Sequence, residues 1–182
     1  MKPIDIQGWF STNDMESYNH LVEKIPNGTL VEVGSYFGRS IASIIPTCRR
    51  NNIWVVAVDL WEDNADELIK NGAKVPTVDD FVRNLESVDS TFEFEVMQES
   101  SLDASLKIRK WNKPVSAVFL DARHDYDSVK ADIEAWLPLI QKGGWIGGHD
   151  YCRGWKGVKQ AVKEKFGRDY HTLPSSIWWH NV

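Results

Sequence analysis

Two short stretches, Trp54-Val55-Val56-Ala57-Val58 and Val115-Ser116-Ala117-Val118-Phe119-Leu120, are apolar at almost every position and rich in valine. A strand with one face in water alternates apolar and polar residues; a strand apolar on both faces must be covered on both. Three further runs punctuate the chain: Leu30-Val31-Glu32-Val33, Phe92-Glu93-Phe94-Glu95-Val96 and Trp145-Ile146-Gly147. The run at 92–96 alternates, as a half-exposed strand does. Between the runs the period changes to that of a helix. Met15, Tyr18, Val22 and Ile25 form one stripe, stopped by Pro26 and Asn27-Gly28. Val129, Ile133, Trp136, Leu137 and Ile140 form a second, with acids at its start, Pro138 near its end and Gly143-Gly144 closing the connection. Val158, Ala161, Val162 and Phe166 form a third, closed by Gly167. Strands alternating with helices predict a mainly parallel sheet with helices on both faces. The last segment breaks the pattern: 170–173 and 177–182 flank Pro174-Ser175-Ser176 and read as a terminal antiparallel hairpin. The expected fold is thus α/β, with a doubly wound, mostly parallel seven-stranded sheet.

Length and charge narrow the function. A chain of 182 residues without repeats or long linkers reads as one domain, 1–182, with an N-terminal helix region (1–27) and a sheet-bearing core (28–182). No apolar run approaches the roughly 20 residues of a membrane helix, so no membrane partner is expected. The opening MKPIDIQGWF lacks the apolar stretch of an export signal, which makes the cytoplasm the expected compartment. Cys48 and Cys152 match no metal spacing and read as reduced thiols. A net charge of −5 leaves no basic surplus for a nucleic-acid backbone. Nine tryptophans are many for this length; Trp54, Trp136 and Trp145 suit the core, and the adjacent Trp178 and Trp179 must face opposite sides of a strand.

The functional candidates lie where predicted strands end. Gly34-Ser35-Tyr36-Phe37-Gly38 follows the first strand; Gly34 permits a tight turn close to a ligand, and Gly38 close helix–strand contact. The spacing is neither that of a dinucleotide fold nor that of a phosphate loop. Glu32, in the strand's last turn, and Asp59, ending the next strand, face the edge where open α/β sheets bind ligands. An acid at position 59 can accept both hydroxyls of a ribose. Asp121 and Asp150 end the fourth and fifth strands, which are neighbours in a doubly wound order. Two carboxylates held close repel unless one is protonated or a cation lies between them. His124 is a candidate general base, against the alternative of a ring packed under the helix start; His149 and Tyr151 are alternatives for the base.

Glu32-x-Gly34-x-x-x-Gly38 followed by Asp59 resembles the cofactor site of class I S-adenosylmethionine-dependent methyltransferases. The segments Phe119-Leu120-Asp121-Ala122-Arg123-His124-Asp125-Tyr126 and Gly143-Gly144-Trp145-Ile146-Gly147-Gly148-His149-Asp150-Tyr151 resemble the small bacterial branch related to metal-dependent O-methyltransferases. The similarity runs from about residue 28 to the end. It implies a Rossmann-like fold and S-adenosyl-L-methionine as cofactor. Gly34, Ser35 and Gly38 would line the methionine portion, Glu32 would approach its amino end, and Asp59 would hold the ribose. Ser100 would contact the adenine, or cap the helix that follows. Asp121 would border the cofactor, take part in catalysis and, with Asp150, ligate Mg²⁺ or another divalent cation. In the relatives a third oxygen ligand often stands beside the second acid. Here His149 occupies that place, which points either to a softer ion or to no metal at all.

Three features stay open. The loop from Trp61-Glu62-Asp63-Asn64-Ala65-Asp66-Glu67 to Val75-Pro76 is either a lid over the cofactor or a solvated connection. Trp61 either covers the cofactor or anchors that loop. Arg39 pairs with Glu32, with a substrate anion, or with solvent. The leading expectation is methyl transfer to a hydroxyl of a small molecule, with selectivity supplied by loops or by a second subunit of a homo-oligomer. The alternatives are a cofactor-binding partner or regulatory module without transfer chemistry, and an NAD-dependent oxidoreductase, which the glycine spacing disfavours.

Overall fold

A computed structural model of the chain describes residues 1–25, 27–64, 69–70, 72–111 and 113–182. Pro26 and residues 65–67 of the acidic loop lie outside the described residues. The seven strands are β1 (Gly28–Val33), β2 (Ile53–Asp59), β3 (Phe94–Gln98), β4 (Val115–Leu120), β5 (Ile140–Gly148), β6 (His171–Thr172) and β7 (Trp178–Asn181). They form one sheet in the order β3-β2-β1-β4-β5-β7-β6. The first five are parallel, and β7 runs antiparallel to both β5 and β6. The helices α1 (Thr12–Val22), α2 (Arg39–Arg50) and α3 (Val78–Val88) precede β3 in the chain; α4 (Ser101–Ile108), α5 (Tyr126–Trp136) and α6 (Lys156–Phe166) follow it.

Alternation along the central strands builds two cores. Leu30, Val55, Ala57, Ala117, Phe119 and Trp145 face Tyr18 and Leu21 of α1, Ile41 and Ile44 of α2, and Phe81 and Leu85 of α3. Val31, Val33, Val56, Val58, Val118 and Ile146 face Ala104, Ile133, Trp136, Val158 and Val162 of α4 to α6. The near-continuous apolar runs of β1, β2 and β4 are therefore the consequence of being covered twice. Trp178 belongs to the second core and Trp179 packs against the first, as their adjacency on a strand requires.

Some boundaries differ from the sequence reading, and β3 runs from Phe94 to Gln98 and not from Phe92 to Val96. Ile140 begins β5 and does not end the preceding helix, because Leu137–Leu139 close α5 as a 3-10 turn around Pro138. Gly143 and Gly144 lie within β5. A Cβ on Gly144 would sit 2.3 Å from the Ser116 carbonyl oxygen, so the strand passes β4 too closely there for any side chain.

Candidate active site at the carboxyl edge

The chain leaves β1 toward β2, while β4 pairs on its other side, so a crevice opens beyond Val33 where the order of connection reverses. Gly34 lines that junction at φ +91°, and a Cβ there would meet the Asp121 carbonyl oxygen at 2.3 Å. The glycine is required by the approach of the turns after β1 and β4, whatever ligand lies above them. Gly38, the N-cap of α2, packs against Phe81 and Leu85 of α3, so its close contact is with a helix and not with a strand.

Asp59 ties two turns together. Its Oδ2 accepts the Tyr36 N–H at 2.7 Å, and its Oδ1 accepts the N–H groups of Leu60 and Trp61 at 2.7 and 3.1 Å. A carboxylate offers about four lone pairs, so Oδ2 keeps capacity for a further donor. Ser35 is 2% exposed, and its side chain lies with those of Tyr18 and Ser40 around the buried Glu32 carboxyl. Glu32 is fully buried, facing α1 and α2, and its Oε1 accepts the Ser40 hydroxyl at 2.7 Å. Burial, with the negative charge of Asp121, pushes its carboxyl up to about 8. The expected approach of Glu32 to a ligand is thus corrected: its carboxyl is sealed beneath the turn.

Trp61 meets the anchoring one of its two expected roles. Its ring is fully buried, lies tilted against Phe81 at 5.1 Å, and donates its indole N–H to the Tyr36 carbonyl at 2.8 Å. It anchors the start of the loop. Ser100 is the N-cap of α4, accepting the Asp103 N–H at 3.2 Å and donating to the Asp103 carboxylate at 2.6 Å. Arg39 donates to the carbonyls of Ile6 and Phe10 and fastens the N-terminal segment, and among the described residues it makes no ion pair with Glu32.

Asp121, His124 and Asp150 converge. One ligand atom from each lies within 4.8 Å of the other two. His124 Nε2 is 2.7 Å from Asp150 Oδ2 and 3.9 Å from Asp121 Oδ1. Two carboxylate oxygens and an imidazole nitrogen are a donor set that fits a divalent cation. Burial pulls the His124 pKa down, but Asp121 and Asp150 outweigh it and hold the ring at about 9. Asp150 stays well below the usual carboxylate range: burial opposes this, and the two histidines overcome it. The outer face of His124 stacks on Trp155 at 4.4 Å.

His149 is placed differently from the sequence expectation. Its ring is 8% exposed, with Nε2 bound to the Ser176 hydroxyl at 2.8 Å and 3.3 Å from Asp14 Oδ1. Its Nδ1 faces Asp121 Oδ1 at 3.5 Å and Asp150 Oδ2 at 3.4 Å. His124 therefore takes the place expected of His149 among the residues that could hold an ion, while His149 lies behind the two acids. The Tyr151 hydroxyl is engaged by Tyr170 at 2.6 Å. Asp14, Ser176, Phe10 and Trp155 were not legible as site residues; only the Ser11-x-x-Asp14 capping box carried a local signal.

A sheet in this order, with a ligand crevice at the β1–β4 switch and acids at the ends of β1, β2, β4 and β5, defines the class I methyltransferase architecture. The chain belongs to the methyltransferase-domain family, whose model matches residues 31–151. Among curated protein sequences none matches it. The O-methyltransferase from Bacillus cereus in complex with SAH is similar in structure: TM-score 0.70, 18% identity, covering 98% of this chain and 86% of that one. The cofactor-bound Rv0187 from MTB aligns with TM-score 0.73 at 16% identity, over 98% of this chain and 84% of that one. The O-methyltransferase TomG from Streptomyces achromogenes in complex with SAM aligns with TM-score 0.67 at 14% identity, over 94% and 81%. No described helix is long and apolar enough to cross a membrane.

Proposed function

We propose that this S-adenosylmethionine-dependent methyltransferase methylates a hydroxyl group of a small molecule, with a divalent cation held by Asp121, His124 and Asp150. One observation carries the reading. The glycine turn of the cofactor crevice and the acid–histidine cluster share a backbone contact, Gly34 against Asp121, so methyl donor and acceptor sites would adjoin. The sulfonium donor supplies an activated methyl group, and a bound cation would lower the acceptor hydroxyl's pKa and orient its oxygen. The protein's part is positional. Asp59 would receive the donor's polar groups. Ser100 keeps the β3–α4 turn in place. His124, held positively charged by two carboxylates in the cation-free protein, suits a ligand that gives up its proton to an incoming ion better than a free base. The proposed acceptor is a small hydroxylated compound and not a nucleic acid or membrane, handled by a single domain or by a homo-oligomer.

The reading is tested in three arms. Titration with S-adenosylhomocysteine should show binding that falls at least about tenfold in Asp59→Ala, an interaction change of about 1.4 kcal/mol. Mn²⁺ should bind the wild type and not the double variant Asp121→Asn/Asp150→Asn. Demethylated cofactor should accumulate with a member of a hydroxylated-compound panel. Cofactor binding without transfer or metal binding would instead favour a binding module, which needs Asp59 but neither Asp121 nor Asp150.

A further inference from the structure

An imidazole wedged behind two acids can be held in one orientation only if its far edge is fixed. Around His149 that edge is fixed by residues outside the family-matched segment. Its Nε2 meets the Ser176 hydroxyl at 2.8 Å, from the turn before β7, and Asp14 Oδ1 at 3.3 Å, from α1. Phe10 packs on the ring at 5.0 Å with an interplanar angle of 48°. Asp14 is itself locked: its Oδ2 accepts the Ser11 N–H at 2.9 Å and the Ser11 hydroxyl at 2.6 Å. With Nε2 pinned, Nδ1 can present itself only to Asp121 Oδ1 and Asp150 Oδ2, at 3.5 and 3.4 Å.

We infer that Asp14 and His149 are a positioning pair: Asp14, reaching in from the N-terminal helix, sets the orientation of His149, which holds the Asp121 and Asp150 carboxylates in their common direction toward His124. Neither residue is a catalytic residue in this assignment, since the ring stands behind the acids and Asp14 stands behind the ring. The inference rests on the reading of Asp121, His124 and Asp150 as the cation-holding transfer site. It adds that the site is not complete within residues 31–151, because the partners of His149 Nε2 come from α1 and the β6–β7 turn. Partners of this kind, one shell removed from the ligands, typically change metal affinity by about 10–100-fold when lost.

The test uses the full chain. Asp14→Asn keeps the size of the side chain and an acceptor for the Ser11 N–H, but removes the charge facing His149. Asn19→Ala loosens the same helix where it meets α2, removing bonds to the Met15 and Ser43 carbonyls and the Thr47 hydroxyl, without touching Asp14 or His149, and serves as the control. Mn²⁺ affinity is measured by calorimetry, S-adenosylhomocysteine affinity by titration, and the ring resonances of His124 and His149 by ¹H–¹⁵N correlation in metal-free protein. Asp14→Asn should weaken Mn²⁺ binding about tenfold or more, shift both rings' resonances, and leave S-adenosylhomocysteine affinity within about twofold. Asn19→Ala should leave Mn²⁺ affinity and the His124 resonances as in the wild type. If the two variants behave alike in both readouts, Asp14 only supports the helix and the inference is overturned. If the wild type binds no Mn²⁺, the transfer-site reading falls. The positioning pair is then decided by the His124 resonances alone, upheld if Asp14→Asn moves them and Asn19→Ala does not, and overturned otherwise. Should Asp14→Asn not fold, Ser176→Ala releases the same ring edge and carries the same comparison.

Discussion

Glu32 sits on the β1 face turned toward α1 and α2, where Tyr18 and Cys48 lie close enough to feel its charge. Its carboxyl ordinarily titrates at 4.5 and here does so at about 8. The unfolded chain releases this proton first, so the group's contribution to stability is whole below pH 4.5 and is lost as pH rises through about 8. Wild-type stability in urea should therefore decline across that window by on the order of 2–4 kcal/mol from this residue. Glu32→Gln, which cannot ionise, should flatten the decline and be the more stable protein at pH 8.5. An unchanged slope would mean the carboxyl is ionised in the fold. Gly34 offers a second residue-scale prediction. An alanine there combines φ +91° with a Cβ 2.3 Å from the Asp121 carbonyl. Gly34→Ala should cost about 3 kcal/mol or more and lower the melting temperature by calorimetry, before any ligand is considered.

At the scale of elements, the turns after β1 and β2 behave as one piece. Tyr36 donates its N–H to Asp59 and its hydroxyl to the Lys74 carbonyl, and its own carbonyl accepts the Trp61 indole N–H. Trp61→Ala should destabilise the fold by about 3–5 kcal/mol, whereas Trp61→Phe should retain most stability and bind S-adenosylhomocysteine as the wild type does. A selective loss of cofactor binding in Trp61→Phe, with stability intact, would add the covering role. This loop also shows where the sequence was readable. Asp59 could be placed at a strand end because Val55 to Val58 leave no doubt about the strand. The direction of the Trp61 ring could not, because it depends on a left-handed backbone at that residue and on Phe81 from another helix. His149 was misplaced for the same physical cause. Its determinants are Asp14 and Ser176, 162 residues apart in the chain, and no local pattern connects them. Strand runs, by contrast, are local, and so were the acids at their ends.

For the whole molecule, the two helix layers share one sheet, and alternate residues of β1, β2 and β4 feed opposite cores. Neither layer can detach without exposing the other side of the same strands. Unfolding in urea should consequently be a single transition, with coincident midpoints for far-ultraviolet dichroism and tryptophan fluorescence. The fluorescence reports on both layers, since Trp61 and Trp145 lie in one core and Trp136 and Trp178 in the other. Separate midpoints would show that the layers fold independently.

Among the described residues, four other than glycine have left-handed backbones, and three of them, Tyr36, Trp61 and Asp150, stand just beyond the carboxyl ends of β1, β2 and β5. Each such conformation costs about 1–3 kcal/mol, least for an aspartate. Laboratory selection for heat resistance alone should thus enrich glycine or asparagine at positions 36 and 150, relaxing the rim of the sheet. The survivors would be hardier proteins with a loosened crevice and, at position 150, one carboxylate fewer. Durability and chemistry compete for the same few peptide bonds.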